Sequence, residues 1–170
     1  YRGSGFPEGK IAAPVGSTYT DTAATSGAIR WTKARGTGNT GWVVEYGDTG
    51  LCDLSSSMIA DEGWTSTATS SGIFTQRIGN VVYLTVSAVQ NSSGKTEYVT
   101  LANLPTGLRP NRSQFGNTWR GIRTYLRSSG RLDFQGPSAA SDYWSFSYVT
   151  NDAWPVSLPG TPAQSIVIMD

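Results

Sequence analysis

Three carboxylates in the C-terminal half, Asp133, Asp142 and Asp152, stand close to aromatic residues in sequence. Glycoside hydrolysis needs two carboxyls about 5–9.5 Å apart across the scissile bond. Sequence spacing does not place any two of these residues across a cleft. Asp142 and Asp152 equally suit turns, where an Asp side chain accepts from nearby backbone. Other catalytic chemistries lack their reagents. The chain has no His, which excludes Ser-His-Asp and Cys-His sites, HExxH zinc sites and an imidazole switch near neutral pH. Its one cysteine, Cys52, can form no intramolecular disulfide. It reads as a small buried apolar residue, with a reactive thiol as the alternative. A metal site would have to be built from carboxylates and one thiol, so no metal, no cofactor and no enzyme activity are expected.

Binding chemistry is better supplied. The apolar C–H face of a sugar stacks on an aromatic ring while neighbouring side chains hydrogen-bond its hydroxyls, and rigid aromatics lose little entropy in doing so. The last third of the chain holds Trp119, Trp144 and Trp154, with Tyr125, Tyr143 and Tyr148. Trp144, Phe146 and Tyr148 alternate as one strand face, which turns Tyr143 outward with Ser145 and Ser147. In the preceding hairpin Leu132 and Phe134 read as buried, so Arg123, Tyr125 and Arg127 share the outward face. Trp119-Arg120-Gly121 and Asn151-Asp152-Ala153-Trp154-Pro155 read as loops. Glycan-binding candidates are therefore Trp119, Arg120, Arg123, Tyr125, Asp142, Tyr143, Asp152 and Trp154. Arg109, Arg112, Arg120, Arg123, Arg127 and Arg131 face only Asp133 in their stretch. They form either a solvated face or a patch for an anionic polymer, whose phosphate or carboxylate groups the guanidinium fork matches.

These residues need a scaffold, and the composition says which kind. Over 170 residues only 15% are charged, while six Trp, eight Tyr and five Phe are present. That excludes a coiled coil or helical bundle and a disordered chain. No apolar run approaches the roughly 18 residues of a membrane-spanning helix, so no membrane insertion is expected. A net charge of +1 gives no footprint for nucleic acid. Short alternating runs separated by turn signals predict an all-β chain: a small N-terminal β-hairpin module followed by an antiparallel β-sandwich or barrel head.

The module covers residues 1–50. Ile29, Trp31 and Lys33 are expected on one strand face and Trp42, Val44 and Tyr46 on one face of its partner, joined by the Gly-rich 36–41 loop. One hairpin is too small to fold alone. Its Trp31 and Trp42 faces must be covered either by the head or by two further copies of the chain. Residues 51–63 read as a linker or one helical turn, and 64–170 as the head. Within the head, Ile73–Ile78 and Val81–Ala88 pair through a two-residue Gly79-Asn80 turn of type II′, with Val82, Leu84 and Val86 inward. Tyr98–Leu101, Ile122–Arg127, Arg131–Gln135, Tyr143–Val149 and 166–168 supply the remaining strands. The opening Tyr1-Arg2-Gly3-Ser4-Gly5 reads as the cut end of a longer chain.

The run Pro7-Glu8-Gly9, then Ala13-Pro14-Val15-Gly16-Ser17-Thr18-Tyr19-Thr20-Asp21, resembles a segment of bacteriophage tail proteins. Ala28-Ile29-Arg30-Trp31-Thr32-Lys33, Gly36-Thr37-Gly38-Asn39-Thr40-Gly41-Trp42 and Gly47-Asp48-Thr49-Gly50 continue the likeness. Arg77-Ile78-Gly79-Asn80-Val81-Val82-Tyr83-Leu84 and Leu104-Pro105-Thr106-Gly107-Leu108-Arg109-Pro110 resemble C-terminal parts of the same proteins, with phages of actinobacteria among them. The resemblance spans residues 6–110 and carries no catalytic motif. It implies the C-terminal part of a minor tail or receptor-binding protein at the distal tail or fibre tip of a virion. Such a protein is a homotrimer that contacts other tail proteins and host cell-wall or surface polysaccharide. A structural tail or fibre module without a ligand, and a glycan-cleaving enzyme, remain as alternatives.

Overall fold

Val82, Leu84 and Val86 alternate with Tyr83, Thr85 and Ser87, and a period of two buries only one face of a strand. In the computed structural model, which describes residues 1–59, 62–66, 71–95, 97–135 and 141–163, the three aliphatic residues are buried. Tyr83 and Thr85 are exposed and Ser87 half-buried. Around that strand the chain is nearly all β, as its composition predicts.

The strands run in the order β1 (Arg2–Gly3), β2 (Thr18–Asp21), β3 (Ala28–Lys33), β4 (Trp42–Gly47), β5 (Cys52–Asp53), β6 (Trp64–Ser66) and β7 (Gly72–Ile78). They continue with β8 (Val81–Asn91), β9 (Tyr98–Asn103), β10 (Gln114–Asn117), β11 (Arg123–Leu126), β12 (Arg131–Gln135), β13 (Asp142–Val149) and β14 (Thr161–Pro162). The first sheet is β1-β2-β3-β4. The second is β13-β8-β7-β5-β14, with β6 also on β8. The third is β10-β11-β12-β9. All these pairs are antiparallel except β1 with β2. The expected strand at 166–168 lies outside the described residues.

The second and third sheets face each other. Ile73, Val82, Leu84, Val86, Trp144 and Tyr148 from one side meet Val99, Leu101, Leu126, Leu132 and Phe134 from the other in a single apolar cluster. The Gly79-Asn80 turn is as expected: Gly79 has φ 56°, while Asn80 is not among the positive-φ residues, the type II′ pattern. Residues 51–63 supply β5 and a 3-10 turn at Ser55–Ser57. Cys52 is fully buried in β5, where burial pushes the thiol pKa up and Thr49 only partly opposes it.

The first sheet departs from its expected faces. Ile29 and Tyr46 are exposed, because the β3–β4 register shifts on both sides of Arg30. Each shift reverses the inward–outward alternation of the residues beyond it. Trp31 and Trp42 are buried within the chain, clustered with Tyr19, Ala13, Ala28 and Trp154 and covered by Phe6 and Ile11. One chain thus covers the two faces for which neighbouring copies are the alternative. Lys33 is also buried. Its ammonium donates to the carbonyls of Arg35 (3.0 Å) and Thr40 and so closes the Gly-rich loop.

Arg77 ties the first sheet to the other two. It is 3% exposed. Its Nε donates to the carbonyl of Gly79 (2.9 Å), Nη1 to Gly107 (2.6 Å) and Ala153 (3.0 Å), and Nη2 to Asp152 (3.0 Å). Its guanidinium lies 4.8 Å from the centre of the Trp154 ring. Trp154 reaches into the first sheet's core and donates its indole N–H to Ser26 O (2.9 Å). Gly47 is the contact point: a Cβ there would lie 2.7 Å from the Trp154 ring. Backbone bonds from Gly79 N to Gly47 O (3.0 Å) and from Thr49 N to Arg77 O (3.0 Å) complete the joint.

Arg77→Met should cost about 3 kcal/mol, because several inward-facing carbonyls lose their donors at once. Arg77→Lys should lose most of the same amount, since an ammonium cannot span three loops. Trp154→Ala should cost about 3–5 kcal/mol as a core truncation. Urea unfolding checks all three. A change below about 0.5 kcal/mol would show that the joint does not stabilise the fold.

Candidate functional site

β10 (Gln114–Asn117) leads into a turn at Thr118–Gly121, and Phe115, Asn117 and Trp119 are the exposed residues of the 114–119 stretch. Gly116 and Thr118 face inward. A Cβ on Gly116 would lie 2.9 Å from the Phe146 ring and 3.2 Å from the Trp144 indole nitrogen. The missing side chain lets the strand settle onto those rings. Phe115 and Trp119 are then left 71% and 77% exposed. Phe115 stands in the strand and Trp119 in the turn that follows it.

The neighbouring strand fills the space between them. Phe115 is paired with Tyr125 and Asn117 with Arg123. The Phe115 and Tyr125 rings stack at 4.2 Å between centres and 13° between planes. Tyr98 meets Tyr125 edge-on at 6.4 Å, and the Arg127 guanidinium lies 4.4 Å from the Tyr125 ring centre. At the hairpin tip, Trp119 N donates to Tyr143 O (3.0 Å). The Arg120 guanidinium lies 5.5 Å from the Trp119 ring centre, and its Nε donates to Ser141 O (3.0 Å). The result is a strip of aromatic rings and guanidinium groups on the outer face of the third sheet.

Of the eight candidate residues, Trp119, Arg120, Arg123 and Tyr125 share this strip, while Tyr143, on β13 of the second sheet, touches it through its backbone carbonyl. Asp142 lies beneath it at 1% exposure, with Oδ1 accepting from Tyr143 N (2.9 Å) and Arg120 N (3.3 Å). It positions the hairpin tip and is not itself on the surface. Its Oδ2 has no partner among the described residues. Asp152 and Trp154 are elsewhere, at the joint with the first sheet. The Asp152 carboxylate accepts from Gly107 N (2.8 Å) and Arg109 N (3.2 Å). Trp154 stands in a loop, as its sequence suggests, but its side chain is in the core at 6% exposure and is not a surface for a sugar.

Sequence patterning misses Phe115 and Asn117 as members of the strip. The alternation from 114 to 119 is their only signal. Its inward positions are Gly and Thr rather than aliphatic, so the segment does not read as a strand.

Electrostatically the strip is anchored by Asp133. This carboxylate is wholly buried and accepts from Arg127 Nε (2.7 Å), Arg131 Nε (2.7 Å) and Thr100 Oγ1 (2.9 Å). Burial pushes its pKa up. The hydrogen bonds from Arg131, Arg127 and Thr100 outweigh that effect and hold it below the ordinary 3.8. Arg112 and Arg123 keep guanidinium groups with no hydrogen bond or ion pair among the described residues.

A carboxyl whose folded pKa is depressed adds stability above its unfolded pKa and loses it as the pH falls through the folded value. Wild-type stability should therefore drop as the pH falls below about 4. Asp133→Asn should lower stability by about 2 kcal/mol at neutral pH and flatten that acid limb. Urea midpoints measured across the acid range check this, and an equally steep limb in the variant would refute it. Compared with protein-family models, with curated proteins and with solved structures, the chain matches none.

Proposed function

We propose that this chain is a glycan-binding head, the C-terminal part of a phage tail receptor-binding protein that attaches a virion to host surface polysaccharide. The observation that carries the binding role is the exposure of Phe115 and Trp119 on one hairpin, with the paired Asn117 and Arg123 beside them. Isolated exposed apolar residues are ordinary on protein surfaces. Two largely exposed rings on one hairpin, each braced by another ring or a guanidinium, form a platform. Such a platform suits a run of sugar rings, with hydroxyls reaching Asn117 and acid groups reaching Arg123. The phage context rests on the sequence resemblance of residues 6–110.

Binding without cleavage is favoured by the condition of the acids. Asp133 is held by two arginines, Asp142 is buried, and Asp152 caps two backbone amides. None of the three faces the strip as a free carboxyl. The homotrimer remains part of the proposal through the resemblance, and sedimentation equilibrium at three times 18.1 kDa tests it.

A single shallow site of this kind should bind at about millimolar Kd, and three per trimer would raise avidity by roughly 10²–10⁴. On an array of bacterial surface and cell-wall polysaccharides, the wild-type chain should bind a defined subset. Phe115→Ala and Trp119→Ala should each lower that binding about tenfold, or about 1.4 kcal/mol, with unchanged melting temperature. Retained binding in the double variant would overturn the placement of the site. Release of reducing ends from a bound polysaccharide would replace the proposal with the glycan-cleaving alternative.

A further inference from the structure

A cleft of about 1200 Å³ opens between the first sheet and the 150–156 loop. Its floor is the part of the first sheet's apolar face that Phe6 and Trp154 leave uncovered, with Trp31 and Val44 beneath. It lies at the Val149 end of β13, whereas Tyr143 and the hairpin tip lie at the other end. Between Asp142 and Val149 the strand spans about 23 Å. The cleft is a different place from the aromatic strip.

Its charged groups fall into two sets. The acids are engaged: Glu8 accepts from Gly41 N (3.0 Å) and Trp42 N (2.8 Å), and Asp152 from Gly107 N and Arg109 N. The Arg77 guanidinium is engaged by four loop carbonyls. Lys10 and Arg35 line the same cleft, are exposed, and have no ion pair or side-chain hydrogen bond among the described residues. Lys10, Arg35 and Arg77 outnumber Glu8 and Asp152 among the lining residues, so the cleft carries a net positive charge, and its two cations without partners among the described residues are the ones open to a ligand. Thr25, Thr40, Asn80 and Asn151 add neutral side-chain donors and acceptors, also without protein partners among the described residues.

We propose that this cleft is a second binding site, for a short anionic oligosaccharide whose acid groups pair with Lys10 and Arg35. The volume exceeds the range of about 300–1,000 Å³ typical of small-molecule pockets, so it has room for more than one sugar ring. Scattered neutral polar groups around an apolar floor match a molecule carrying many hydroxyls. A nucleotide is disfavoured, because its base needs an open ring to stack on. Trp31, Trp42 and Trp154 are only 4%, 5% and 6% exposed.

Because tryptophans line the cleft, binding can be followed by intrinsic fluorescence and by backbone amide NMR shifts of the whole chain. Trigalacturonate supplies carboxylates, glucose 6-phosphate supplies a phosphate, and maltotriose is the neutral control. At least one acidic probe should shift the amides of Phe6, Gly36 and Asn151, and which one does so identifies the acid group. Its Kd should rise about tenfold in Lys10→Gln/Arg35→Gln and rise again with salt, while maltotriose should bind at least about tenfold more weakly. Val156→Trp, at an exposed residue lining the cleft, should block the probe without removing a charge. Equal binding of maltotriose, unchanged affinity in the double variant, or no shift by either acidic probe up to about 10 mM would overturn the proposal. The assay uses small soluble probes, so it stands or falls independently of cell-surface binding by the aromatic strip.

Discussion

One buried guanidinium holds this chain together as a unit. Arg77 takes its place at the end of β7 because the alternation that buries Ile73 and Thr75 also buries the next inward residue. Burying a cation is costly unless its donors are satisfied. Here the carbonyls of Gly79, Gly107, Asp152 and Ala153 satisfy them, and burial still pulls the Arg77 pKa down against the restoring charge of Asp152. The loops that provide those carbonyls come from three separate parts of the chain. Fixing them also fixes Trp154, and through Trp154 the apolar face of the first sheet.

The two proposed sites depend on that arrangement in different ways. The aromatic strip needs the sandwich alone: Gly116 lets β10 lie against Trp144 and Phe146, strand alternation turns Phe115 outward, and the following turn presents Trp119. Its charge is balanced from below by Asp133, which engages Arg127 and Arg131 while Arg123 stays free for other contacts. The cleft depends on the joint. It exists because Trp154 covers only part of the first sheet, and its net positive charge arises because three cations, Lys10, Arg35 and Arg77, line it with two acids, Glu8 and Asp152.

The carboxylates show how environment decides role. Asp133, Asp142 and Asp152 are one residue type in one stretch of chain. One closes an ion-pair network, one fixes a hairpin tip and one caps a loop. Residue spacing alone shows three acids near aromatic rings. The groups that engage them range from an adjacent amide, Tyr143 N on Asp142, to Gly107 N on Asp152, 45 positions away.

By itself the sequence determined the class of fold and most of the strands. Period-two burial is a local property, so Val82, Leu84 and Val86, the Gly79-Asn80 turn, the 131–135 strand and the outward Tyr143 are all legible without coordinates. So is the exposure of Trp119 in a turn. Tertiary structure decided what depends on long-range pairing. Register shifts around Arg30 turn Ile29 and Tyr46 outward, and a hydrogen bond to Ser26, 128 positions away, brings Trp154 into the first sheet's core. Close approach of β10 to Trp144 and Phe146 makes a strand of a segment that carries glycine where a core residue would be expected. A side chain's own neighbours set which face it takes. Whether that face meets solvent, another sheet or a buried charge is set by chain segments that local spacing does not encode.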